Sequence, residues 1–327
     1  MSATIGGLAR PGHEEEIGTQ SGRSNRQLVW ARLRRDPTAV VSMTILTLLI
    51  LAATVGAPLA AHLTGHPPNT PDNNAVSARG IPIGVMQHPY YADGTTRNPH
   101  AGIFVLGADS LGRDQLVRVL YGARVSLIVA FGATGVALLI GISLGLLAGY
   151  CGGWIDGVIA RLIETAIAFP SLLMAIALAI VVGPGLLNVL IVIALFTWFY
   201  PARIVRSVAL SGKDLLYVQA ARTVGARPRR LLLVHILPQA WGPLLVFGTS
   251  IVATNILFEA SLSYLGIGVP APTASWGQML SDAINSGFYR INPSMLLVPG
   301  VALVATMLAF NLLGDSLRDA LDPKARR

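Results

Sequence analysis

Apolar residues gather in six long blocks separated by polar stretches: about Ala39–Ala61, Val125–Ala148, Thr165–Val182, Leu187–Ile204, Ala240–Phe258 and Met295–Leu313. An α-helix rising 1.5 Å per residue needs about 20 apolar residues to cross roughly 30 Å of hydrocarbon. Each block meets or approaches that length. None has Lys, Arg, Asp or Glu near its middle, where one charge costs on the order of 3 kcal/mol or more. A large soluble protein buries one or two such blocks as core helices, but not six with so few charges between them. The pattern predicts an all-α membrane protein with six transmembrane helices.

The polar stretches predict the rest of the organisation. Residues 1–38 form an N-terminal tail. Met1–Gln27, with Gly6-Gly7, Glu14-Glu15-Glu16 and scattered Ser, has no apolar period and reads as disordered. Leu28–Arg35 reads as a short basic helix on the inner surface, with Trp30 at headgroup level. The apolar run from Thr38 starts too late and is too long for a cleaved signal segment. Residues 39–61 are the first span. Residues 62–123 form an outer segment carrying Pro67, Pro68, Pro71, Pro82, Pro89 and Pro99, so most of it is expected to be irregular or extended. Its end, Asp109–Ala123, changes character. Asp109 or Ser110 suits a helix cap, Leu116, Val119 and Leu120 share a face, and Asp114 with Arg118 forms an i,i+4 pair. That describes an amphipathic surface helix leading into span 2. Residues 124–317 hold the five-helix core, in which Gly183-Pro184-Gly185 joins spans 3 and 4 as an antiparallel hairpin. Residues 318–327 form a C-terminal tail.

Composition agrees. Of 327 residues, 53% are hydrophobic and 12% charged, half the usual charged share of a soluble chain at about 25%. That excludes an ordinary cytosolic enzyme. A net charge of +8 raises a nucleic-acid reading, which its distribution removes. With the N-terminus inside and spans alternating, 18 of 24 basic residues fall on the cytoplasmic side, against 10 acidic ones; the outer side has six of each. The excess is the orientation signal of a bilayer protein with both termini cytoplasmic, and anionic lipid accounts for it. Cys151 is the sole cysteine, so the sequence holds no internal disulfide.

Four features suggest mechanism. Gly141, Gly145 and Gly149, preceded by Ala133 and Ala137, form a small-residue stripe where a second helix packs closely, either from a partner subunit or from this chain. Pro170, Pro201, Pro243 and Pro299 lie in or beside spans, where kinks serve a gate or a static bundle equally. Glu259 is an intramembrane carboxylate, so Glu259, Pro170 and Pro243 are candidates for a pathway or gate. The polar segment 207–238 combines helix-favouring Tyr217–Val224, a stop at Gly225 and a new start at Pro228. It predicts a stiff helix–Gly–helix element projecting into the cytoplasm. No phosphate-binding G-x-x-x-x-G-K-[ST] loop, H-E-x-x-H, G-x-S-x-G or Cys/His cluster occurs in the chain, so the sequence offers no catalytic or cofactor site.

In that segment Gln219-Ala220-Ala221, Gly225 and His235-Ile236-Leu237-Pro238 stand at the spacing E-A-A, three residues, G, nine residues, I-x-L-P. This resembles the cytoplasmic signature of permease subunits of ATP-binding-cassette importers, specifically the second permease of the dipeptide/oligopeptide/nickel group. Leu106–Asp114, Tyr121–Arg124, Phe169-Pro170-Ser171, Leu262–Gly266, Ser275-Trp276-Gly277 and Asn311–Asp315 also match it in order, covering about Leu28 to Lys324. Gln219 departs from the acidic residue, and His235 from the apolar one. The resemblance implies a type I, MetI-like permease fold and a non-catalytic subunit in the plasma membrane of a prokaryote. It implies pairing with a homologous permease, two cytoplasmic ATP-binding subunits that use the ATP, and an extracytoplasmic substrate-binding protein. Gln219, Ala220, Ala221, Gly225, Ile236, Leu237 and Pro238 would then form the ATPase-coupling loop. The alternative, a self-sufficient secondary carrier or channel, fits poorly with spans so empty of charge.

Overall fold

The computed structural model describes residues 25–322. The disordered reading of the N-terminal tail therefore falls, up to residue 24, outside the described residues, as does the end of the C-terminal tail. Helices begin where local chemistry permits. After a first helix α1 (Asn25–Leu33), the Asp36 side chain accepts from the Thr38 amide and Pro37 takes the first helical position. They open α2 (Pro37–Thr64), which passes through a π turn at Ala52–Gly56 and stops at Gly65, φ 71°. Next comes α3 (Gln115–Cys151), about 55 Å long at 1.5 Å per residue and so longer than a hydrocarbon core. The expected surface helix and span 2 are thus one helix. Its cap is Asp114, which accepts from the Leu116 and Val117 amides, in place of Asp109 or Ser110. Nothing from Gly122 to Val125 removes a backbone donor, so the helix has no reason to break.

Two spans are not straight. The third divides into α4 (Gly153–Ala168) and α5 (Ser171–Val182), set at 91°. Pro170 lacks the amide that would continue the ladder and forces Phe169 to extended geometry. The fourth divides into α6 (Leu186–Leu195) and α7 (Phe199–Gly212), bent by 41°. The remaining helices are α8 (Leu216–Thr223), α9 (Pro228–Tyr264, with a π turn at Leu231–Ile236), α10 (Trp276–Ser286) and α11 (Ser294–Leu321). Four of these, α2, α3, α9 and α11, are each long and apolar enough to cross a membrane, and counting each bent pair as one span gives six. Among the described residues no strand forms.

The small-residue stripe sets the closest packing. A Cβ on Gly141 would lie 2.7 Å from the Trp198 carbonyl oxygen, on Gly145 2.6 Å from that of Ala202, and on Gly149 2.7 Å from that of Arg206. The backbone of α7 therefore occupies the groove, and only glycine admits it. The stripe is filled within this chain, so the partner-subunit reading does not apply to it. Rising numbers on both helices make α3 and α7 parallel, both running toward the 207–238 loop. Around them, Leu46, Ala53, Leu127, Ile256 and Phe310 knit α2, α3, α9 and α11 into one core. The Asn255 amide donates to Thr134 Oγ1 at 2.9 Å, tying α9 to α3.

The end of the bundle away from the loop is closed by residues 65–114. Their prolines leave no long element, yet Ala75, Ile83, Phe104 and Ala108 form a small core joined by isolated β-bridges. The expected Asp114–Arg118 pair is absent. Asp114 instead meets His66 Nδ1 at 3.0 Å, and the His66 ring stacks on Phe104. Arg118 turns to Asp109 at 3.3 Å, while Arg113 reaches Asp109 at 2.6 Å and Asp282 of α10 at 3.1 Å. Asp114 is committed to its cap, which leaves Arg118 to the buried acid behind it. At the loop end, Arg32 donates to the Ala320 carbonyl at 3.1 Å, and Gly314 of α11 packs beside Val246 and Thr249 of α9. The loop and both described chain ends therefore share one end of the bundle.

Candidate functional site

The 207–238 segment is assembled from local signals. After α7, Leu215 is extended (φ −70°, ψ 136°) and opens α8. That helix stops because Gly225 adopts φ 87°, a left-handed conformation that side chains resist. The Ala226 amide then donates to the Ala221 carbonyl at 3.1 Å, closing the last turn. Arg227 is extended and Pro228 takes the first position of α9. Two helices thus meet across a sharp, hydrogen-bonded turn, and α8 packs on the π turn of α9. Such an element resists bending.

Its residues divide into an anchor and a presented face. Val218 is buried, and Ile236 is fully buried among Leu146, Val205, Ala209, Ala240 and Leu244, with Leu237 packed against the same cluster. Gln219, Ala220, Gly225 and Pro238 are exposed and Ala221 is half-buried. Leu216 and Val224, at 85% and 90% exposure, extend the presented face with large apolar side chains. Gln219 Nε2 donates to the Asp214 carbonyl at 3.1 Å. A carboxylate has no proton to give there, so glutamine braces the approach to α8 in a way an acid would not.

The pathway candidates do not share a surface. Glu259 is fully enclosed by this chain, accepting from Ser126 at 2.6 Å and from Ser263 at 2.8 Å. Those bonds join α3 to the end of α9 and satisfy a group that would otherwise be costly to bury. Pro170 stands exposed at the α4–α5 break, and Pro243 is exposed within α9. Two ionic features escape sequence reasoning. Asp156 and Arg206, 50 residues apart, pair at 2.5 and 2.8 Å and clip α4 to α7. Arg113 and Arg118 with Asp109 and Asp282 lock the opposite end. Nothing in the sequence says which partner each charge meets. Among the described residues no three His, Cys, Asp or Glu side chains gather as metal ligands.

Residues 141–327 match the family described as binding-protein-dependent transport system inner membrane component, and residues 24–82 match the N-terminal TM domain of oligopeptide transport permease C. The oligopeptide transport system permease protein OppC of Bacillus subtilis is 46% identical over 221 residues, covering 68% of this chain and 72% of that protein. The dipeptide permease DppC of Alkalihalophilus pseudofirmus is 44% identical, covering 67% and 72%. The glutathione permease GsiD of Escherichia coli is 38% identical, covering 91% and 90%. A solved inward facing structure of the MetNI methionine ABC transporter superposes with a TM-score of 0.50 at 19% identity, covering 62% of this chain and 96% of that one. At that identity the likeness speaks for the fold alone, a MetI-like helical bundle. The chain belongs to the family of binding-protein-dependent transport system inner membrane components, as a permease of the DppC/OppC type.

Proposed function

We propose that this chain forms half of the translocation path of an ATP-driven importer of small peptides, or of related solutes such as nickel chelates. It pairs with a homologous permease in the plasma membrane of a prokaryote, loop and termini on the cytoplasmic side. Two cytoplasmic ATPases grip the coupling loops of the two permeases and use the ATP, and an extracytoplasmic binding protein delivers cargo. The chain itself is non-catalytic and binds no cofactor. One observation carries the reading: the loop presents a stiff, exposed helix while Ile236 roots it in the core between α3, α7 and α9. A rooted helix passes displacement to the bundle, where a loose loop would absorb it. The cargo class is supported by the relatives, which are named for dipeptides, oligopeptides and glutathione, all short peptides.

Co-purification and uptake test it together. Replacing Ala220 with Asp places a charge at the closest approach and is expected to abolish both ATPase association and ATP-dependent dipeptide uptake. Intact association and uptake would show that the loop is not the coupling element. The chain reconstituted alone in liposomes should carry no gradient-driven dipeptide flux; such flux would establish the carrier reading instead.

A further inference from the structure

Two residues outside the signature, Tyr217 and Gln239, form a hydrogen-bonded triangle with the His235 carbonyl that joins α8 to α9. Tyr217, on α8, donates its hydroxyl to the His235 carbonyl oxygen at 3.3 Å. Gln239, one turn further along α9, donates from Nε2 to the Tyr217 hydroxyl at 2.5 Å and to the same His235 carbonyl at 2.9 Å. The His235 and Tyr217 rings also lie within 6.2 Å of each other. His235 belongs to the π turn Leu231–Ile236. Such wide turns are rare, occur mostly as single turns inside α-helices and are frequent at functional sites. Pro238 and Pro243 follow it, and neither supplies the amide that a regular helix would give to Val234 or Gln239. The segment of α9 beneath the triangle is therefore the least regularly bonded part of that helix.

We infer that Tyr217 and Gln239 are positioning residues that pass displacement of α8 into the π turn of α9, and so along span 5. The triangle ties the presented helix to the least regularly bonded stretch of α9, while Ile236 holds the same turn in the core. Both side chains are exposed in the free chain, where water competes with their bonds. A partner seated on the loop excludes that water and strengthens them, which makes transmission conditional on docking. The inference rests on the proposed seating of an ATPase on this loop.

The test uses the assembled importer in a Cys151→Ser background, with spin labels at Leu265 after α9 and Ile291 before α11, both exposed. Trapping with ATP and vanadate is expected to shift the label distance. Tyr217→Phe, which keeps the ring, and Gln239→Leu should each reduce the shifted population on the order of threefold, the scale of one net hydrogen bond. ATPase co-purification should be unchanged, and the double variant no worse than the poorer single one. A parent pair that ignores trapping, a Tyr217→Phe pair that responds fully, additive losses in the double variant, or lost ATPase association in Tyr217→Phe would each overturn the inference. If Ala220→Asp abolishes association while Tyr217→Phe changes nothing, only this inference falls and the docking reading stands.

Discussion

The two ends of the bundle solve the problem of polar backbone and charge in opposite ways. At the end away from the loop, charge is consumed internally. Arg113, Arg118 and Asp109 are almost wholly buried, and with Asp282 they tie the 65–114 segment and α3 to α10. Trp276 donates to the Val119 carbonyl at 3.1 Å, and Asn292 to that of Ile83 at 3.1 Å, adding further ties between distant segments. At the loop end the Asp156–Arg206 pair is only partly covered, and large apolar side chains such as Leu216 and Val224 are almost wholly exposed. One end ties its buried charges together within a single chain. The other leaves large apolar side chains exposed, as the proposed docking of an ATPase requires.

Breaking the contrast begins with its largest element. Arg118→Ala removes one partner of a buried ionic network and leaves Asp109 undercompensated, which is expected to destabilise the chain by about 3 kcal/mol. Thermal unfolding in detergent measures it, and an unchanged midpoint would mean that the network contributes no more than a surface pair. At the loop end, Leu216→Ser with Val224→Ser is expected to leave stability within about 0.5 kcal/mol, as for exposed positions generally, while weakening ATPase co-purification. A large stability loss with association intact would invert the comparison. The smallest effect concerns Asp93 in the 65–114 segment. The Thr95 and Thr96 amides donate to its carboxylate and hold its pKa at about 2, below the ordinary 3.8. A depressed carboxyl pKa contributes stability that is complete above 3.8 and lost as pH falls from there through about 2. Hydrogen exchange at the Thr95 and Thr96 amides should show protection fading across that window alone, and equal protection on both sides of it would remove the role assigned to Asp93.

Legibility followed the range of the interaction concerned. Helix–Gly–helix in the loop was readable because Gly225 and Pro228 act on their own backbone, and the structure has α8, the left-handed turn and the proline start where those residues put them. Pro170 was visible, but its 91° consequence was not, since a proline tells where a ladder loses a donor and not how far the halves then diverge. Asp114 and Arg118 showed the opposite failing. Their i,i+4 spacing is right for a pair, yet His66, packed on Phe104, and buried Asp109 compete from outside the helix and win.

What the chain determined by itself are the six apolar blocks, their separation, the stops and starts set by Gly and Pro, and the concentration of basic residues around one loop. Those depend on solvent transfer and backbone sterics, which act residue by residue. Only tertiary structure decided where the glycine stripe of α3 finds its partner, which turned out to be α7 of the same chain. It also enclosed Glu259, a candidate for a pathway or gate, between Ser126 and Ser263, 133 and four residues away. Both outcomes turn on which distant surface fits most closely, and shape complementarity between segments is not written in either segment alone.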